Sequence, residues 1–172
     1  MSLLLRKIDL GKWRQKEFID NDEISADAIT LCLKTSGNTL SVWKIESEDH
    51  IDEAVLAFIS KAPHLEAAFF VLLNEEHLND NKISIEQRDD ETPYKAQIKN
   101  HVVLTQLSYE TLGVIAHYIL NEVRNDRVKS YAEGRLKRMF AKAISSGKID
   151  MADLKQDFQK KILRFYENQG QT

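Results

Sequence analysis

The sequence is poor in cysteine and in long apolar runs, and each shortage excludes a class of protein. Cys32 is the single cysteine, so an internal disulfide and a disulfide-stapled secreted scaffold are excluded. The longest apolar run, residues 67–73, has seven residues, far fewer than the roughly 20 that cross a bilayer. Residues 3–5 are likewise too few for the core of a signal peptide. We therefore expect a soluble, cytoplasmic protein that does not contact a membrane.

Recognisable catalytic patterns are also missing. The five histidines stand at positions 50, 64, 77, 101 and 117, and no two have the spacing of a zinc-binding pair. Neither a glycine-rich phosphate loop nor a Gly-x-Ser-x-Gly elbow occurs. The candidate groups for an enzyme are Glu75, Glu76, His77, Asp80 and residues 89–91. We therefore expect no metal and no cofactor, and we favour a protein that is not an enzyme.

Residues 67–73 predict the central strand of the fold. A continuous apolar run of strand length is typical of a strand buried on both faces. Further strands are predicted where β-branched and aromatic residues cluster or apolar positions alternate, at residues 3–8, 39–45, 82–87 and 101–107. Residues 25–34 fit a short helix capped by Ser25, although their alternation also allows a strand.

A strand-helix-strand unit precedes and includes the central strand. Residues 51, 54, 55, 58 and 59 are apolar at helical spacing between the strands at 39–45 and 67–73. This order is typical of a βαβ unit, whose two strands pair in parallel through a right-handed crossover. We therefore expect a parallel strand pair at the centre of the sheet.

From residue 108 onwards the pattern is helical alone. Three amphipathic segments with short connections follow, over residues 108–123, 124–145 and from 150 to about 165, and they predict a bundle-like unit. We therefore expect an α+β fold in two parts. A small mixed α/β sheet of four or five strands occupies residues 1–107, and a C-terminal three-helix unit, free to pack on the sheet, occupies residues 108–172.

The net charge of −3 hides a strong internal split. Residues 46–92 contain thirteen acidic side chains and three basic ones, a balance of −10. Residues 123–148 contain eight basic side chains and two acidic ones, a balance of +6. Such asymmetry indicates either a charged partner or two parts of one chain or dimer that attract each other.

Six side chains form a stripe within the basic region. On a helix at 124–145 they fall within about 80° of arc, and they are Arg124, Arg127, Tyr131, Arg135, Arg138 and Lys142. A phosphate backbone could be bound by such a stripe. The alternatives are a solvated outer face and a face docked on residues 46–92. An isoelectric point near 6.0 favours these alternatives, because most nucleic-acid binders are basic.

Two functions remain from these observations. The missing catalytic motifs and the split charge favour a non-enzymatic protein-interaction module, such as an adaptor, immunity or antitoxin-like protein. Its partner would be another protein or a second copy of the chain. Nucleic-acid binding through the basic stripe at 124–145 is the alternative.

Overall fold

The computed structural model describes residues 2–89 and 91–169, and within them it contains six strands and eight α-helices. The strands are β1 (Leu3–Ile8), β2 (Leu40–Ile45), β3 (Ala68–Asn74), β4 (Ser84–Gln87), β5 (His101–Thr105) and β6 (Lys129–Tyr131). The helices are α1 (Leu10–Trp13), α2 (Lys16–Ile19), α3 (Ala26–Cys32), α4 (Ile51–Ile59), α5 (Glu75–Asp80), α6 (Tyr109–Arg124), α7 (Glu133–Ser145) and α8 (Gln156–Gln169). Short 3₁₀ segments occupy Glu48–His50, Lys95–Asn100 and Met151–Asp153.

The six strands form one sheet in the order β4-β5-β2-β1-β3-β6, and every pairing between them is antiparallel. The α+β class is confirmed, but the sheet has more strands than the expected four or five and is not mixed. The expected parallel pair is wrong, because β1 lies between β2 and β3 and pairs with both. Leu4 and Leu5 of β1 are fully buried on opposite faces, which suits β1 to this central place.

Alternate side chains of β3 enter two separate cores. Phe70 and Leu72 pack with residues of α4, α7 and α8, on what we call the α4 face. Val71 and Leu73 pack with residues of α3 and α6, on the α6 face. Burial on both faces explains why the run at residues 67–73 is continuously apolar.

The C-terminal helical segment is confirmed, but its helices lie on both faces of the sheet rather than in one bundle. Ile119 of α6 packs on the α6 face, whereas Phe140 of α7 and Phe158 of α8 pack on the α4 face. The segment also supplies β6, an edge strand of the sheet. A domain boundary at residue 107 stays a prediction, and residues 170–172 lie outside the described part of the chain.

The single helix predicted over residues 124–145 is wrong in its first third. Helix α6 ends at Arg124, Asp126 has a φ of +51°, and β6 follows before α7 begins. A positive φ does not continue a right-handed helix, and Asp is one of the residues that tolerate it. Tyr131 then pairs with Ala68 at the free side of β3. Sheet pairing with a distant strand therefore outweighs the local helical pattern here.

The longest helix of the described residues is α6, with 16 residues. It is amphipathic, with one face in the core of the α6 face and charged residues such as Glu110 elsewhere along it. In residues 2–89 and 91–169, no helix has both the length and the apolar character that a transmembrane span requires.

Candidate interaction surface

The six side chains of the predicted stripe lie on four different parts of the chain. Arg124 is the last residue of α6, Arg127 follows in the turn, and Tyr131 ends β6. The other three, Arg135, Arg138 and Lys142, are on α7. The structure therefore does not arrange the six along one helix, although it keeps the last three together.

Arg124 and Arg127 bind groups of the chain's own surface. Arg124 donates hydrogen bonds to the carboxylate of Asp22 and to the carbonyl of Ile19. Arg127 donates to both carboxylate oxygens of Glu122, from Nε at 3.2 Å and from Nη2 at 2.6 Å. This two-bond arrangement is a strong form of arginine–carboxylate contact. A phosphate group would have to displace a carboxylate at either position.

Tyr131 and Arg135 share the carboxylate of Asp52, at the start of α4. The Tyr131 hydroxyl donates to Asp52 Oδ1 at 2.7 Å, and Arg135 Nη2 donates to the same oxygen at 2.9 Å. The Arg135 guanidinium also lies 4.2 Å from the centroid of the Tyr131 ring. Burial, and after it the hydrogen bond to Asp52, raises the pKa of Tyr131. The buried ring is therefore not available to stack on a base.

Two more cations of the basic region pair with acids next to or within α4. Lys129 Nζ lies 2.7 Å from Glu48 Oε2, and Lys148 Nζ lies 3.1 Å from Glu53 Oε1. Together with Arg135 and Asp52, these pairs join residues 123–148 to residues 46–92. Docking on the chain's own acidic region, one of the alternatives for the stripe, is therefore found for Arg135 of the stripe and for Lys129 and Lys148 outside it.

Glu53 is held by three donors rather than one. It accepts hydrogen bonds from Lys148 at 3.1 Å, from Tyr94 at 3.1 Å and from Gln97 at 3.0 Å. The hydrogen bond from Lys148 is the largest cause that lowers the pKa of Glu53. A carboxylate kept ionised in this way acts as an acceptor that fixes its neighbours, and it is poorly suited to donate a proton.

Arg138 and Lys142 differ from the other stripe residues. Both are exposed, and neither has a carboxylate within 4.0 Å in the ranges that the structure describes. The Tyr166 hydroxyl of α8 donates to the carbonyl of Ala141, 3.0 Å away, within the same turn of α7. Tyr166 is 37% exposed, and Leu163, one turn earlier on α8, is 50% exposed. We call these four side chains, Arg138, Lys142, Leu163 and Tyr166, the α7–α8 surface.

The sequence contains a signal for Leu163 that periodicity alone did not use. Phe158 and Ile162 of α8 are fully buried, and they define the face of the helix that enters the core. Leu163 lies about 100° around the helix from Ile162, outside that face. One exposed apolar residue is ordinary, but Leu163 lies next to the partly exposed Tyr166 on the helix surface, and joined apolar area is a candidate for contact with another molecule. Tyr166 could not be separated from the core in this way, because tyrosine is often partly buried.

The groups considered for an enzyme are not brought together. Glu75 lies at the start of α5 and pairs with Lys44 at 2.9 Å, whereas Asp89 follows β4. Strands β1, β2 and β5 lie between β3 and β4, which places these two strands roughly 19 Å apart across the sheet. Asp90 lies outside the described residues. Within those residues, no three or more His, Cys, Asp or Glu side chains are grouped so that they could hold a metal ion.

No family model, curated protein or solved structure matches this chain. The kind of partner that the α7–α8 surface binds therefore has to be inferred from the chemistry of its own four side chains. They combine two positive charges with aliphatic and aromatic area, the mixture of arginine and aromatic residues that is enriched at protein interfaces.

Proposed function

We propose that this protein is a non-enzymatic protein-interaction module, adaptor, immunity or antitoxin-like in kind, that binds its partner through the α7–α8 surface. The observation that carries the proposal is a contrast within the basic region. Cations that face α4 are paired with the chain's own acids, whereas Arg138 and Lys142 are exposed on the turn of α7 that the Tyr166 hydroxyl contacts. A partner surface that is complementary to the four side chains of the α7–α8 surface would have carboxylates around an apolar centre.

The partner is another protein or a second copy of this chain, and we place the complex in the cytoplasm. Cys32 supports this location, because it is a buried, free thiol in a protein that has no second cysteine. The chain also offers exposed carboxylates, among them Asp49, to a second copy. The mass of the complex separates the two kinds of partner.

Photo-crosslinking tests the proposed surface directly. A benzophenone amino acid replaces Leu163 in one variant and Tyr109, which is 97% exposed on α6, in a matched control. After irradiation of cells that make the protein, we expect a discrete adduct from position 163 and none from position 109. An adduct of twice the chain's mass identifies a second copy as the partner.

Charge reversal sharpens the same experiment. Arg138→Glu combined with Lys142→Glu should lower the yield of the adduct at position 163 about tenfold, because like charges then oppose an acidic partner. The control is Lys16→Glu combined with Lys34→Glu, two exposed cations outside the α7–α8 surface. An adduct that forms equally at 163 and 109, or that both charge reversals affect equally, would contradict the proposal.

Nucleic-acid binding is the alternative, and it is favoured by Arg138 and Lys142, which have no carboxylate partner in the described residues. With two rather than five basic contacts, the logarithm of affinity should fall with the logarithm of salt concentration with a slope of only roughly two. Anisotropy of a labelled DNA duplex between about 50 and about 200 mM salt measures this slope. The interaction-module proposal expects no binding at the lower salt concentration.

A further inference from the structure

Arg6 in the middle of β1 is held by backbone carbonyl groups. Its Nε donates to the carbonyl of Cys32 at 3.1 Å, and its Nη2 donates to the same oxygen. Its Nη1 donates to the carbonyl of Ser41 at 2.8 Å. A guanidinium has five N–H bonds, and each terminal nitrogen carries two of them. One N–H on each terminal nitrogen is therefore left for a further acceptor.

The positive charge of Arg6 has no counter-ion in the described part of the chain. No carboxylate lies within 4.0 Å of the guanidinium in residues 2–89 and 91–169. Burial lowers the pKa of Arg6 to about 10, so the group is still charged at neutral pH. A partly buried charge that meets only neutral carbonyls is unfavourable compared with one that meets an anion. Binding of an anion next to the guanidinium would lower this electrostatic cost.

A cavity of about 480 Å³ gives access to Arg6. It lies where β1 ends and β3 begins, and it is lined by Phe69, on the same face of the sheet as Arg6, and by Phe58 at the opposite face. Leu31 also lines the cavity and is 59% exposed, so it forms part of the rim. The volume lies within the range of small-molecule sites, which are typically apolar with a few convergent polar groups.

The charges around the cavity select the kind of anion. Lys7, the second cation of the wall, already pairs with Glu66 at 3.7 Å. Asp9 and Glu66 also line the cavity and would repel a multiply charged ligand such as a phosphate. The Arg6 guanidinium, which has no carboxylate within 4.0 Å in the described residues, and the apolar side chains of Phe69 and Leu31 therefore fit a single negative charge on an apolar body.

We propose that this cavity binds a small organic acid, with its carboxylate on Arg6 and its apolar body against Phe69 and Leu31, on the same side of the sheet. This site goes beyond the proposed protein interaction, since it uses none of the residues of the α7–α8 surface.

A titration with 3-phenylpropionate tests the site, with 3-phenylpropionamide as the matched uncharged ligand. We expect ¹H–¹⁵N NMR signals of the Arg6 side chain and of the Cys32 amide to shift and saturate with the acid. The amide should leave them in place, because the carboxylate is the group that meets the guanidinium. Absence of a saturable shift up to 10 mM acid, or equal shifts with both ligands, would overturn the proposal.

Two variants localise the binding. Leu31→Glu places a carboxylate at the rim of the cavity and should weaken 3-phenylpropionate about tenfold or more, because it competes for Arg6. Tyr109→Glu introduces the same charge at an exposed apolar side chain of α6, outside both proposed sites, and should leave the affinity unchanged. An affinity that Leu31→Glu does not alter would exclude this cavity. Leu31 is preferred over Arg6 as a target because the bonds from Arg6 to Cys32 and Ser41 also contribute to folding.

Discussion

Two groups of cations in residues 123–148 have the same chemistry and opposite surroundings. Lys129, Arg135 and Lys148 lie against α4 and the segment before it, each with a carboxylate of the chain within 3.1 Å. Arg138 and Lys142 have no carboxylate within 4.0 Å in the described residues, and the turn of α7 that contains them accepts a hydrogen bond from Tyr166 of α8. A count of charges along the sequence treats the two groups as one. Their positions in the fold separate the cations that pair with the chain's own acids from the cations that are available to a partner.

The comparison also concerns what holds α7 in place. Ion pairs at the protein surface contribute little, typically up to about 1 kcal/mol each. Burial of apolar side chains contributes more, because a core side chain loses both hydration and packing when it is removed. We therefore expect the core side of α7 to determine stability, the side facing α4 to contribute modestly, and the α7–α8 surface to contribute almost nothing.

The largest effect is expected from Phe140→Ala. Phe140 is fully buried and meets the ring of Phe158 with centroids 4.7 Å apart. Its removal should lower the free energy of unfolding by about 3 to 5 kcal/mol. Urea denaturation followed by circular dichroism measures the change. Arg138→Ala, two positions earlier on α7, is the control and should change the free energy of unfolding by less than about 0.5 kcal/mol. Equal losses of stability in both variants would show that burial of Phe140 is not the main contribution.

An intermediate effect is expected from Asp52→Ala. This change removes the acceptor of the Tyr131 hydroxyl and the ion-pair partner of Arg135. The loss should be about 1 to 2 kcal/mol, mostly because a buried tyrosine then lacks its hydrogen bond. Asp49→Ala removes an exposed acid beside α4, and it should be neutral within about 0.5 kcal/mol. If Asp52→Ala costs no stability in a protein that already carries Tyr131→Phe, the lost Tyr131–Asp52 hydrogen bond is the source of the destabilisation. If the free-energy changes of the two variants simply add, the hydrogen bond is not the source.

The smallest effect is a pH dependence carried by Glu53. The hydrogen bond from Lys148 lowers the pKa of Glu53 below its ordinary value of 4.5. A lowered carboxyl pKa contributes stability that is fully present above pH 4.5 and is lost as the pH falls through the folded-state value. Lys148→Met should therefore be less stable than the native protein at neutral pH, and the difference should shrink in acid.

Urea midpoints at about pH 7 and about pH 3 measure this difference. Lys142→Met is the control, since Lys142 has no carboxylate partner in the described residues, and its effect should not depend on pH. A cost of Lys148→Met that is equal at both pH values would assign the effect to packing on Tyr94, whose ring centroid lies 5.9 Å from Lys148 Nζ.

The positions of most strands could be predicted because apolar patterns indicate burial, whereas the pairing of the strands could not. Five of the six described strands lie where the sequence predicts them, and Ser25 and Ser108 cap α3 and α6 through their side chains. Strand β6 could not be predicted, because its three residues pair with an edge of β3 that only the assembled sheet provides. The same holds for the order of the sheet, where β1 separates two strands that the local pattern would pair.

The candidate sites were less predictable than the fold. The stripe contained Arg138 and Lys142, which do lie on the α7–α8 surface, together with four residues that meet other parts of the chain. The stripe did not include Leu163 and Tyr166, because they follow α7 in another helix. Arg6 gave no signal at all, since an arginine within a strand is ordinary until its neighbours are known.

The sequence by itself determined which segments are buried, because burial follows from the period of apolar residues along each strand and helix. It determined also that positive and negative charge are segregated along the chain. Only the tertiary structure decided which charges meet, since Lys129 and Glu48 are 81 residues apart and still form an ion pair. Electrostatic energy depends on the distance between groups in space, and spacing along the chain does not specify that distance.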